Sequence, residues 1–252
     1  MNKYSQRENN RYNPQSKEPF TISRSYIELF VECPRCFYLD RRLGLGRPSM
    51  PGWTLNSAVD KLLKSEFDIL RKNGARHTLM EEYKIDAVPF NHSDLPVWQN
   101  NRKGASVIHA KTNLKITGVV DDIWLNNQTQ DLHIVDYKST SIDGEVSLDG
   151  EYKESYKRQV EIYQWIFRQM GFPVSHTAYF VYVNALKNLP KFDGKLEFKS
   201  TILPYEGDDS WVEPTIFKIK ECLDSEAIPP PSDDCEYCAY RHFISQELEE
   251  KL

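Results

Sequence analysis

Two aspartates and a lysine stand among apolar residues between Lys115 and Thr140, in the run KITGVVDDIWLNNQTQDLHIVDYKST. This reads as two strands joined by a tight turn. Side chains alternate faces along a strand, so one face of the first strand carries Thr117, Val119, Asp121, Ile123 and Leu125. One face of the second carries Leu132, Ile134, Asp136 and Lys138. A hairpin symmetric about Gln128 and Thr129 sets Asp121 opposite Asp136, within contact. Two carboxylates on one buried face repel each other and lose hydration, and a divalent cation is the simplest compensation. Their oxygens suit Mg²⁺ or Mn²⁺, which hold a phosphate and acidify a bound water. Lys138 points the same way as Asp136 and would orient that water or stabilise developing charge. The alternative is structural: a salt bridge from Lys138 to one aspartate, with the other acid solvated at the strand end. Asp122 falls on the opposite face, so alternation favours Asp121 as the ligand.

The elements that must position these groups follow from periodicity. Tyr26, Ile27, Phe30 and Val31 mark a helix from Ser23, interrupted at Pro34 and followed by a short helix with Phe37 and Leu39. Gly44, Gly46, Pro48, Pro51 and Gly52 make a loop. A helix over about 55–71 has Val59, Leu62, Leu63, Phe67 and Leu70 as its apolar stripe. A short helix near Trp98 and a strand near Ser106–His109 precede the hairpin, the latter as its third antiparallel partner. An amphipathic helix from Lys153 to Met170 ends at Gly171 and Pro173. Strands at 176–184 and 195–203 and a helix at 211–223 complete the chain, a pattern that suits a three-layer α/β/α sandwich.

With 252 residues, 40% hydrophobic and 27% charged, the chain reads as a folded globular protein. It shows no signal-like or membrane-spanning run, so the expected compartment is the cytoplasm, without membrane association. Residues 1–20 are polar and read as a flexible tail. The net charge of −5 argues mildly against nonspecific coating of nucleic acid. Two local clusters, Arg35/Arg41/Arg42/Arg47 and Lys153/Lys157/Arg158, form either a basic groove or ordinary solvated faces.

GVVD at 118–121, IVDYKST at 134–140 and QVEIY at 159–163 together resemble the PD-(D/E)xK nuclease superfamily, in its RecB-like exonuclease branch. The resemblance covers roughly residues 22–244. It implies a restriction-endonuclease-like α/β/α core with a mixed sheet over a single domain, 21–252. It assigns Asp121, Asp136 and the Tyr137 carbonyl as ligands of Mg²⁺ or Mn²⁺, and Lys138 as the residue that positions or activates the water. Gln159 and Tyr163 would orient Lys138 or touch the DNA backbone; they are i and i+4, hence on one helix face. Relatives often add a histidine or acid from the preceding helix. Here LNSAVDKLLKSEFD offers Asp60, with Asn56 and Glu66 behind it. An acid on a helix surface needs no such role.

Cys33-Pro-Arg-Cys36 and Cys235-Glu-Tyr-Cys238 together supply the four thiolates of a tetrahedral zinc or a 4Fe–4S cluster. The layout resembles iron–sulfur members of the branch, including CRISPR-adaptation exonucleases, in which terminal cysteines clasp the core. There one N-terminal cysteine joins three C-terminal ones. Ile244 stands near the place of the last, and Cys36 or His242 is the candidate replacement. Simple buried thiols are the alternative, and Cys222 reads as core. The resemblance thus implies a metal-dependent DNA nuclease, an exonuclease on single strands or duplex ends, in repair, recombination or defence. A helicase or recombination protein would be its partner. A non-catalytic nucleic-acid-binding module on the same fold, or a zinc-stapled structural protein, are the competing readings.

Overall fold

The computed structural model describes residues 6–48, 52 and 54–249; Pro51 of the expected loop lies outside them. In chain order the elements are β1 (Phe20–Ser23), α1 (Arg24–Glu32), α2 (Pro34–Arg41), α3 (Thr54–Asn73), α4 (Thr78–Glu82), β2 (Ala87–Pro89) and α5 (Leu95–Trp98). They continue with β3 (Ala105–His109), β4 (Leu114–Gly118), β5 (Asp122–Asn126), β6 (Leu132–Thr140), a 3₁₀ turn (Glu151–Lys153) and α6 (Glu154–Gln169). β7 (Thr177–Ala185), β8 (Phe198–Glu206), α7 (Val212–Asp224) and α8 (Glu236–Glu249) close the chain. Two compact units result, one of residues 1–51, 108–116 and 211–252, the other of 52–107 and 117–210.

The second unit holds a five-stranded sheet of order β2-β5-β6-β7-β8. β6 and β7 pair parallel and every other pair is antiparallel. Parallel neighbours need a crossover, which α6 supplies. Alternation along β6 sorts its side chains between two helical layers. Val135 and Tyr137 join Leu63 and Phe67 of α3 in a core completed by Trp124, Val181 and Ile202. Asp136 and Lys138 point the other way, to hydrogen-bond with α6. This is the expected α/β/α core with a mixed sheet. The apolar stripe of α3 is narrower than its sequence suggests, since Leu62 is exposed.

The hairpin register is the one its symmetry predicts: Asp122 pairs with Val135 and Ile123 with Ile134, a dyad between Gln128 and Thr129. Asn126 closes the turn by accepting from the N–H groups of Gln128 and Thr129 through its side chain. The first strand, however, is not continuous. It breaks at 119–121, so β4 joins a separate sheet of order β1-β4-β3, while only β5 pairs with β6. The strand at 105–109 therefore partners β4 and is not a third strand of the central hairpin. Gly118 sits at the break because the Tyr163 ring packs where its side chain would be, 2.6 Å from an ideal Cβ. Periodicity cannot register such a contact with a residue 45 positions away.

In the first unit, residues 6–19 form neither helix nor strand. They are nonetheless tied down: Tyr12 is buried, its hydroxyl donates to Asp224 at 2.6 Å, and its N–H donates to the Arg41 carbonyl. The N-terminal ends of α2 and α8, each with the residue before it, bring the four cysteines together. No helix among the described residues is long and apolar enough to cross a membrane.

Candidate active site

Asp136 is the centre of the acidic site. It lies mid-strand in β6, and its side chain is 1% exposed. A carboxylate so placed needs compensation, and Lys138 and Gln159 provide it. The Lys138 ammonium lies 2.5 Å from Oδ2. Gln159 Nε2 donates to Oδ1 at 2.7 Å, while its Oε1 accepts from Lys138 at 3.2 Å. One amide thus holds both members of the ion pair, which a residue with a donor and an acceptor on one fork can do. Tyr163, one turn further along α6, has its hydroxyl 3.1 Å from Gln159 Nε2. The Lys138 ammonium also lies 4.3 Å from the centroid of the Tyr156 ring, a cation–π contact.

Asp121 stands at the strand break, one residue before β5 and opposite Asp136 by register. Its Oδ2 accepts from the Tyr137 N–H at 2.9 Å, and its backbone carbonyl accepts from Gln99 at 2.7 Å. Its Oδ1 meets Lys64 of α3 at 3.1 Å, and that ammonium also lies 2.8 Å from Asp60. Asp60 is therefore no isolated surface acid. Burial raises its pKa and Lys64 lowers it, but the charge of Asp121 pushes it up again, so the net shift is upward from its ordinary value. Burial works against the Lys64 charge, yet Asp121 and Asp60 outweigh it and raise its pKa. Asn56 is exposed, and Glu66 is turned to His77, 3.0 Å away. Of Asn56, Asp60 and Glu66, only Asp60 shares the Lys64 ammonium with Asp121.

Asp122 is consumed elsewhere. Wholly buried on the α3 side, it pairs with Arg71 and accepts from the Tyr137 hydroxyl at 2.9 Å and from the Ile123 N–H. Burial raises its pKa and Arg71 draws it back. This pair and Tyr137 anchor the backbone that carries Asp121 and Asp136. Lys64 is not among the expected site residues; its i+4 spacing from Asp60 is the sequence signal that points to it. By sequence Lys153 belongs to a basic cluster with Lys157 and Arg158. It is instead buried, donates to the Tyr182 hydroxyl at 2.8 Å, and so supports the β7 residue paired with Lys138. Lys157 pairs with Glu154. The arginine cluster is similarly engaged. Arg41 stacks on Phe20 and Tyr26, Arg35 and Arg42 donate to the carbonyls of Pro229 and Tyr12, and Arg47 pairs with Glu32.

Asp60, Asp121 and Asp136 are hard oxygen donors, two of them already gathered around one cationic group, and this donor set fits Mg²⁺ or Mn²⁺. Among the described residues, however, the group of three or more potential ligand atoms that falls within 4.8 Å of one another is the cysteine set.

All four of those cysteines are buried and unbridged. Cys36 Sγ lies 3.6 Å from the sulfurs of both Cys235 and Cys238, and Cys33 lies 3.9 Å from Cys238. Burial pushes the Cys33 thiol up, but the N–H groups of Ser232 and Cys36 outweigh it and bring it to about 6. Arg47 Nη2 lies 3.6 Å from Cys235 Sγ. Cys222 is apart from the cluster, and burial raises its thiol to about 11. His242 lines a cavity of about 440 Å³ beside Cys235 and Cys238, and Ile244 is exposed. Such a set of four can hold a metal through its thiolates alone.

The family model described as the PD-(D/E)XK nuclease superfamily matches residues 50–243. No curated protein matches the chain.

Proposed function

Because the chain belongs to the PD-(D/E)XK nuclease superfamily, we propose that it is a DNA nuclease of the RecB-like branch, dependent on Mg²⁺ or Mn²⁺. It acts as an exonuclease on single strands or duplex ends, in repair, recombination or defence, beside a helicase or recombination protein. The observation that carries this reading is the buried Asp136–Lys138 pair held by one amide, Gln159. An ion pair built only for stability has no need of an orienting fork, since a well-packed apolar pair does as well.

Asp121, Asp136 and the Tyr137 carbonyl, with Asp60 at the rim, would hold the cation. When bound, it supplies charge to the phosphate oxygens and acidifies a water. The chain's own residues do the rest. Gln159 fixes the direction of the Asp136 carboxylate and restrains Lys138. The Lys138 ammonium, 15% exposed, reaches the solvent side of the site and is placed to orient a water or meet negative charge on phosphate. Tyr163 fixes Gln159, and Tyr156 limits where the ammonium can swing. The thiol set serves separately, as a metal clasp of zinc or iron–sulfur type within a single nuclease-like domain over 21–252.

A non-catalytic nucleic-acid-binding module is the second reading, favoured by Lys64, whose ammonium already bridges Asp60 and Asp121. One experiment separates the two. Purified protein is incubated with Mn²⁺ or Mg²⁺ and end-labelled single-stranded or duplex DNA, beside Asp136→Asn and Lys138→Met variants checked for an unchanged melting temperature. Metal-dependent cleavage that drops at least about a hundredfold in both folded variants supports the nuclease. Cleavage that persists in both sinks the assignment, and binding without cleavage selects the module.

A further inference from the structure

We infer that Cys33, Cys36, Cys235 and Cys238 hold one tetrahedral metal ion, zinc by its fit, and not the four-iron cluster implied by the resemblance to iron–sulfur nucleases. The inference does not rest on the nuclease reading.

The spacing of the sulfurs decides it. A zinc ion with Zn–S bonds of about 2.3 Å sets its thiolates about 3.8 Å apart. The recorded separations are 3.6, 3.6 and 3.9 Å, and all four sulfurs lie within 4.8 Å of one another. In a cubane each cysteine binds a different iron, with the iron–sulfide body between them, so the cysteine sulfurs stand well beyond that limit. Nor are these distances disulfides, whose sulfurs are bonded at about 2.05 Å.

The surroundings agree. Two Cys-x-x-Cys pairs, one from each end of the chain, close a tetrahedron without a fifth ligand, as structural zinc sites do. His242 and the place of Ile244 are then not needed. Each pair opens a helix: Cys33 caps α2 and accepts from the Cys36 N–H at 3.5 Å, while Cys235 immediately precedes α8. Helix N-termini favour negative charge, and four thiolates around a divalent ion leave a net charge of about −2. Arg47, held by Glu32 and stacked on Tyr237, directs its guanidinium at Cys235 and offsets part of that charge. Zinc has no redox chemistry, so the site clasps segments about 200 residues apart and transfers no electrons.

The test uses the full chain, expressed with both iron and zinc supplied and purified without oxygen. Metals and acid-labile sulfide are measured, and a visible spectrum is recorded. About one zinc per chain, no sulfide and no visible absorption are expected. Exchange into Co²⁺ should give the spectrum of a tetrahedral tetrathiolate site, and Cys235→Ser should lower its thiolate charge-transfer intensity. Arg47→Met, which leaves all four ligands, should keep the zinc but release it to a chelator several-fold faster. Iron and sulfide in equal amounts with broad visible absorption would overturn the inference. So would a chain that binds neither zinc nor cobalt, or a cobalt spectrum that Cys235→Ser leaves unchanged. None of these readings depends on cleavage of DNA.

Discussion

At the scale of single residues, the site is an arrangement of three acids and two ammonium groups. Lys138 answers Asp136, and Lys64 answers Asp60 and Asp121 together. Lys64 stands where added positive charge would be drawn, so it would compete with a divalent cation proposed for the same oxygens. Lys64→Met should therefore lower the Mn²⁺ concentration at half-saturation several-fold in a calorimetric titration. It should also lower the melting temperature of the metal-free protein, because Asp60 and Asp121 then repel without a counter-charge. A Mn²⁺ affinity that falls would show Lys64 helping to build the site. Asp122 makes a contrasting case. Adjacent in sequence to Asp121, it is enclosed by Arg71 and Tyr137, and breaking such a buried pair costs about 3–5 kcal/mol. Asp122→Ala should thus appear first as a loss of stability in denaturant titration, whereas Asp136→Asn in a folded protein should appear as a loss of chemistry.

Among elements, the decisive contact is between β4 and α6. Gly118 admits the Tyr163 ring, and Tyr163 in turn restrains Gln159. Gly118→Ala places a methyl group against that ring, an overpacking that costs about 1–3 kcal/mol. Cleavage should weaken as well, although residue 118 touches neither Asp136 nor Lys138 through any hydrogen bond. A melting temperature equal to the parent's would refute this account of the break at 119–121. The sheet also carries a buried histidine that makes stability depend on pH. His133 in β6 donates through Nδ1 to the Thr177 carbonyl at 2.8 Å, and burial lowers its pKa despite that bond. The unfolded chain, with an ordinary histidine near pH 6.5, therefore binds protons that the folded state refuses. Stability is complete above that pH and falls as pH drops through the lowered folded value. Unfolding midpoints between about pH 7.5 and pH 5 should show this slope, and His133→Gln should flatten it.

At the scale of the whole molecule, the ends of the chain are joined by the thiol set, and long loops gain most from such closure. Stripping the metal with a strong chelator should lower the melting temperature and increase proteolysis near residues 33–36 and 235–238; zinc alone should reverse both. Much of this design is legible in the amino-acid sequence. The alternation of β6, the dyad of its hairpin, the Gln159/Tyr163 face and the paired cysteines are local patterns, and local geometry converts them directly into position. Backbone stereochemistry and i+4 spacing therefore determined which groups share a face. Tertiary packing decided the rest: that the first strand breaks at Gly118, that Lys64 and not a histidine stands between Asp60 and Asp121, and that the basic clusters are engaged in structural contacts. It also set the sulfur separations, from which a single ion is inferred. Those outcomes depend on distances between residues tens to hundreds of positions apart, and only the folded chain brings such residues within the few ångströms over which charge, sterics and coordination act.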